Sequence, residues 1–363
     1  MFSRIHEAVL QKRIALYEKG VFESFSLGAF TVSVGNLTVG GTGKTPLVTR
    51  AAEILTEMGE TVCIVTRGYK RENPKARVLV SDGEKILADA KQAGDEPFEL
   101  ARKLLGRAIV IADANRIAAG NWAREKFRIT AFVLDDAFQH LRARRDLDIV
   151  TIDATNPYGN GKLFPFGILR EPLQNLKRAD AIVITRANLV EAAEDLKTKI
   201  RRFNANCPIF VSENKTARLT EIKEFLAKAN CEKSETPNSK IENQRPKTKD
   251  QIETESKYRF LAFCGLGNPN NFFAQLRGEN FDLAATETFP DHYFYKQNDI
   301  VKLEKKARPA DAGNLLTTAK DAVKLKDLNF DLPCFVAESE MVFAGGDDFR
   351  NWIISKLKQS KQK

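Results

Sequence analysis

A chain of 363 residues with 43% hydrophobic content is long enough for two domains with ordinary cores. Its five cysteines are far apart and form no C-x-x-C pair, which excludes a zinc ribbon or a disulfide framework and fits a reducing cytoplasm. A net charge of +9 calls for an anionic partner without choosing among nucleotide, phospholipid surface and nucleic acid, and no run approaches the ~18 apolar residues of a bilayer span.

Residues 1–30 lack the continuous apolar core of a secretory signal. Within them, residues 3–19 read as a helix stopped by Gly20. Ile5, Ala8, Val9, Ala15 and Leu16 share one side with Lys12 among them, and Leu10, Ile14 and Tyr17 form a second patch. That pattern suits a helix packed on a domain at least as well as one lying in a membrane interface.

Residues 31–46, TVSVGNLTVGGTGKTP, organise the rest. A β-branched strand runs into a glycine-rich turn and then into a helical pattern starting at Lys44-Thr45, which is the P-loop order. In such a loop the backbone N–H groups of Thr38, Val39, Gly40, Gly41, Thr42 and Gly43 cradle phosphate oxygens. Lys44 reaches the β- and γ-phosphates, and the Thr45 hydroxyl ligates Mg2+. The G-x-x-x-x-G-K-[ST] pattern asks for glycine at position 38, where this chain has threonine. The expectation is a nucleoside triphosphate site.

Apolar runs follow at 61–66, 108–112, 130–135, 148–153, 181–185 and 208–212, with helical patterns between. Near-continuous apolar strands alternating with helices predict a mostly parallel sheet covered on both faces, a P-loop α/β/α sandwich over 31–213 with functional groups at the strand carboxyl ends. Residues 214–257 read as a flexible insertion, apart from one possible helix at 220–229. The strands at 260–264, 282–285, 314–317 and 333–336 then restart the rhythm as a second, smaller α/β domain over 258–363. Lys356, Lys358, Lys361 and Lys363 read as a solvated helix end.

Several constellations fall at those strand ends. Asp135 and Asp136 close an apolar strand in the Walker B manner, where a carboxylate holds Mg2+ directly or through water. Gln139 and His140 follow in a loop facing the same crevice. Asp95 of the 94–97 segment, GDEP, is either a helix cap with acidic first-turn neighbours or a carboxylate aimed at the phosphates and able to take a proton. The 66–71 loop with Arg67 suits an anionic substrate. The long Gly/Pro-rich loop 158–172, with Asn160 and Arg170, is expensive to order and therefore reads as functional. Asp291 and His292 sit in an aromatic stretch at 289–295.

These segments in this order (SVGNLTVGGTGKTP, TRGYKR, GDEP, LDDAFQH with RDLDIV, GNGKLFPFGILREP, FCGLGNPNNFF, FPDHYFY and LLTTAKDAVKL) resemble the tetraacyldisaccharide 4′-kinase family of lipid A biosynthesis, from residue 33 to 325. A non-glycine residue at position 38 is usual in that family. The resemblance implies ATP- and Mg2+-dependent phosphorylation of the 4′-hydroxyl of tetraacyldisaccharide 1-phosphate, giving lipid IVA. It implies an enzyme on the cytoplasmic face of the bacterial inner membrane, peripheral here because the N-terminal segment is mixed rather than strongly apolar; a monomer is the expectation. It also implies two α/β/α domains joined by a two-stranded linker that closes over ATP. By resemblance, Asp95 is the base and His292 its dyad partner, brought together on closure. Asp135, Asp136 and Glu171 carry the metal with Thr45. Arg67, Gln139, His140, Asn160 and Arg170 are substrate-side candidates.

Two other readings compete. A P-loop GTPase or metallochaperone would carry an Asn/Thr-Lys-x-Asp sequence after a late strand. This chain has Thr185-Arg-Ala-Asn188 there, and no Cys/His cluster for a metal cargo. A nucleic-acid-binding protein would concentrate basic and aromatic residues in one patch, whereas here they are dispersed, so no nucleic-acid partner is expected.

Overall fold

The computed structural model describes residues 2–69, 71–191, 193–230 and 258–362, in two compact units: residues 1–213 with 341–363, and residues 214–340. The flexible insertion expected at 214–257 lies, for 231–257, outside the described residues.

The first unit opens with α1 (Phe2–Glu18), followed by β1 (Phe30–Asn36), α2 (Lys44–Glu57), β2 (Val62–Thr66), β3 (Val78–Ser81), α3 (Ala90–Ala93) and α4 (Asp95–Lys103). After these come β4 (Ala108–Ala112), α5 (Arg116–Lys126), β5 (Ala131–Asp135), β6 (Leu147–Asp153), β7 (Ala181–Thr185), α6 (Ala193–Arg201) and β8 (Ile209–Glu221). Its strands lie in the order β8-β7-β6-β1-β5-β2-β4-β3, parallel except for β3.

The continuous apolar runs have a direct cause. In β5 the side chains alternate between two cores: Ala131 and Val133 pack with Leu47, Val48, Ala51 and Leu55 of α2, while Phe132 and Leu134 pack with Ala119 and Ala123 of α5. A strand buried on both faces has no polar face to show. The parallel α/β expectation therefore holds.

The second unit holds the helix α7 (Ile222–Asn230), β9 (Arg259–Cys264), α8 (Pro269–Gly278), β10 (Asp282–Thr288), α9 (Gln297–Ala307), β11 (Asn314–Thr318), α10 (Ala319–Ala322) and β12 (Cys334–Phe343). Its strands run β10-β9-β11-β12, all parallel. The residues expected as one helix at 220–229 are the end of β8 and then α7.

The last helix, α11 (Asp348–Lys361), belongs to the first unit rather than to the second domain. Phe349, Ile353 and Leu357 recur every four residues on one face and join the α2 core. Of the lysines expected as a solvated helix end, Lys358 and Lys361 are exposed and Lys363 lies outside the described residues; Lys361 also pairs with buried Glu60, and Arg350 reaches Glu57 at 3.2 Å. Among the described residues, no helix is long and apolar enough to cross a membrane.

Candidate active site

The loop between β1 and α2 is held from several sides. Asn36, the last residue of β1, donates from Nδ2 to Thr42 Oγ1 at 2.9 Å, and that hydroxyl shares a 2.8 Å hydrogen bond with Thr151 of β6. Gly43 caps α2 with φ of 80°, in the left-handed region that favours glycine, and a Cβ there would lie 3.1 Å from Thr185. Thr38 forms an antiparallel bridge with Leu169, flanked by Val39 N–H donating to Ile168 O at 2.7 Å and Arg170 N–H donating to Leu37 O at 2.6 Å. This pairing explains the threonine at position 38: an extended, bridge-paired residue needs no glycine. It also shows what the long 158–172 loop does, since its 168–170 segment lies along the entry to the P-loop.

At the carboxyl end of β5 the two acids occupy different environments. Asp135 is buried and accepts from Thr66 Oγ1 at 2.7 Å. Burial, with the neighbouring Asp136 charge, pushes its pKa up. Asp136 adopts φ of 49° and meets one guanidinium nitrogen of Arg170 at 2.8 and 2.9 Å, with Lys44 Nζ at 3.5 Å. Burial pushes its pKa up as well, but the Lys44 and Arg170 charges outweigh that and hold it below the usual carboxylate range. The pair thus offers one carboxylate already balanced by cations and one in a nearly dry niche.

Asp95 is positioned by two glycines. A Cβ on Gly68 would meet Ala93 O at 2.7 Å, and one on Gly94 would meet Tyr69 O at 2.9 Å, so the loop after β2 and the turn into α4 stack backbone to backbone. The N-cap of α4 is Gly94, with no capping side chain. Asp95 is therefore the first helical residue, in the acidic first turn of α4 with Glu96. Its side chain is almost fully buried, while Arg67, at the end of β2, is exposed.

The remaining candidates of the first unit differ in what they touch. Gln139 donates to Asn36 O at 2.9 Å, beside the P-loop. His140 is partly buried, and burial together with the charges of Arg116, Arg145, Arg13 and Arg142 lowers its pKa to about 4, so it is neutral at physiological pH. Asn160 braces its own loop, donating to Phe166 O at 2.9 Å and accepting from Lys162 N–H at 3.1 Å. Glu171 is buried against Asn175 and Arg178, each 2.8 Å from Oε2, and the Arg178 guanidinium lies 4.2 Å from the Phe138 ring centroid. These contacts give Glu171 a structural partner set of its own. Among the described residues no cluster of three or more His, Cys, Asp or Glu side chains could hold a metal. A cation at this site would rest on Thr45, the strand-end acids and phosphate oxygens.

His292 belongs to the second unit and is described there alone. It has φ of 64°, with Nε2 3.7 Å from Asp291, whose carboxylate accepts from Lys320 Nζ at 2.9 Å. Nearby, fully buried Asp321 accepts from Gly265 N–H at 3.0 Å and from Thr318 Oγ1 at 2.8 Å, tying the turn after β9 to the start of α10.

Arg116 was not singled out from sequence. It is buried at the start of α5 and donates to the carbonyls of Asp135 at 3.1 Å and Asp113 at 3.2 Å, fixing the acid-bearing turn. The strand-end rule that marked Asp135 would have found it too, since it follows the end of β4.

The model of the family described as tetraacyldisaccharide-1-P 4′-kinase matches residues 1–358. A tetraacyldisaccharide 4′-kinase of Geobacter metallireducens is 38% identical over 86% of this chain and 83% of its own length, and one of Halothermothrix orenii is 36% identical over 89% and 81%. The Aquifex aeolicus LpxK, crystallised in complex with ATP, superposes with a TM-score of 0.73 at 30% identity, covering 98% of this chain and 97% of its own. With the match running through the P-loop, the strand-end acids and the His292 segment alike, the chain belongs to the tetraacyldisaccharide 4′-kinase family.

Proposed function

We propose that this protein transfers the γ-phosphoryl group of ATP to the 4′-hydroxyl of a tetraacyldisaccharide 1-phosphate, forming lipid IVA, as a peripheral monomer on the cytoplasmic face of the inner membrane. The observation that carries this is the P-loop with Lys44 set 3.5 Å from the strand-end Asp136, in a chain matched to the kinase family over residues 1–358.

In this reading the backbone N–H groups of residues 38–43 and the N-terminus of α2 bind the phosphates, and Lys44 takes charge that develops on the transferred group. Mg2+, when bound, would neutralise phosphate oxygens. An all-oxygen donor set of Thr45, Asp135 and Asp136 fits a hard cation, and Glu171 remains the outer candidate. The Asp95 carboxylate takes the proton of the 4′-hydroxyl as its oxygen bonds to the γ-phosphorus and the bond to ADP breaks. His292 is the partner that orients Asp95, and Lys320, through Asp291, fixes the turn that carries it. Arg67, Gln139, His140, Asn160 and Arg170 are assigned to the substrate side, with Asn160 acting through the shape of its loop.

Membrane attachment is supported by exposed apolar side chains in two places. Val21 and Phe22 follow α1, and Phe164 and Phe166, 56% and 57% exposed, stand at the tip of the 158–172 loop.

Transfer of label from [γ-32P]ATP to tetraacyldisaccharide 1-phosphate in detergent micelles with Mg2+ tests the proposal. The intact chain should produce labelled bis-phosphorylated lipid, and Asp95→Ala should lower kcat by about 10²–10⁴-fold. No labelled lipid from a chain that binds ATP would make the acceptor wrong, and full activity in the variant would remove Asp95 from the chemistry.

A further inference from the structure

Thr185, the last residue of β7, and Arg186, which follows it, hold the P-loop at two successive carbonyls. Thr185 Oγ1 donates to Thr42 O at 3.0 Å, with Ile152 O a more distant 3.4 Å acceptor for the same proton. Arg186 Nη1 donates to Gly41 O at 2.9 Å and also pairs with Asp153 at the end of β6. The Asp153 carboxylate is itself fixed by Thr155, whose N–H and Oγ1 donate to Oδ1 at 3.0 and 2.7 Å. Arg186 adopts φ of 56°, a conformation that costs a side-chain-bearing residue about 1 kcal/mol or more and that persists only where surrounding contacts enforce it.

In a planar trans peptide the carbonyl of one residue and the N–H of the next point in opposite directions. Anchoring the carbonyls of Gly41 and Thr42 on the β7 side therefore turns the N–H groups of Thr42 and Gly43 to the other side of the loop. The left-handed Gly43 adds the alternation from which anion-binding backbone nests are made. Gly40 and Gly41 meet nothing within 4 Å of an added Cβ, so the neighbouring packing does not itself confine this part of the loop.

We propose that Thr185 and Arg186 are positioning residues for phosphate binding: they anchor two consecutive P-loop carbonyls and so pre-aim the Thr42 and Gly43 N–H groups at the β/γ-phosphates. The 185–188 segment, which lacks the guanine-reading sequence, has this other task. The inference rests on the P-loop being the ATP phosphate site.

The test uses the full chain and compares Mg·ATP with AMP, by titration calorimetry or competition, for the parent and for Thr185→Val, Arg186→Met, Arg186→Lys and Lys44→Met. Thr185→Val and Arg186→Met should each weaken ATP by about fivefold to thirtyfold. AMP, which lacks the two outer phosphates, should bind as to the parent. KM for ATP should rise with KM for the lipid unchanged. Arg186→Lys, which keeps a cationic donor, should recover most of the loss. ATP affinity within twofold of the parent in both variants would overturn the proposal, and so would an equal loss for AMP, which marks general destabilisation. Unchanged ATP affinity in Lys44→Met would overturn it through its premise.

Discussion

Two glycines of the P-loop differ in what they permit. Gly43 sits at φ of 80° with Thr185 against it, so Gly43→Ala places a methyl group in a left-handed conformation at a crowded spot. The expected result is a loss of about 1–2 kcal/mol of stability, measured by urea unfolding, together with ATP affinity lowered more than tenfold. Gly41, with open space around a Cβ and no positive φ, should accept alanine within about 0.5 kcal/mol. His140 supplies a pH prediction. Its folded-state pKa is lowered to about 4, whereas the unfolded chain protonates it near 6.5, so the unfolded state binds more protons across that window. Stability should fall by about 2 kcal/mol as pH drops from about 6.5 to 4, and His140→Gln should flatten that slope in urea midpoints measured across the range. That Lys44 and the strand-end Asp136 would be neighbours was legible in sequence, because a glycine-rich strand-to-helix turn and an apolar strand ending in acids both belong at strand carboxyl ends. The supports were less so. Thr66 under Asp135, Arg116 behind the turn and Arg186 on the P-loop act through hydrogen bonds to groups far along the chain, which local spacing does not reveal.

At the scale of elements, the parallel strands were readable because burial on both faces leaves an unbroken apolar run, and that signal survives without knowledge of the neighbours. The allegiance of a helix was not. The α11 stripe of Phe349, Ile353 and Leu357 says that the helix packs on something, and only the structure shows that it packs on α2. Phe349 stacks on Phe343 with ring centroids 4.4 Å apart and meets Phe210 at 5.2 Å. Phe349→Ala should therefore cost about 3–5 kcal/mol, read as a lowered urea midpoint. The loss should be felt by the nucleotide-binding unit, with ATP protection against unfolding diminished. Intact stability in that variant would mean that α11 is peripheral to the first core.

At the scale of the whole molecule, the second unit is an insertion within the first. The chain leaves the first unit along β8 and rejoins it along β12, and where it does so Ala344 N–H donates to Val211 O at 2.9 Å. The two ends of the excursion are therefore neighbours within the first unit. Replacing residues 214–340 by a short Gly/Ser linker should leave a folded protein that still binds ATP, measured by calorimetry. If His292 has the role proposed for it, that protein should have no detectable lipid phosphorylation. Loss of folding would show that the first unit depends on the second for its stability.

The position of α11 has a bearing on how the protein is made. A ribosome releases the P-loop about 300 residues before Phe349, Ile353 and Leu357, which complete the core behind it. Until α11 is free of the exit tunnel, α2 presents part of its apolar face uncovered, however well the unit between them has folded. Nascent or prematurely terminated chains should thus display a nucleotide loop on an unfinished scaffold, open to chaperones and proteases. Only a chain that has released α11 should close that core.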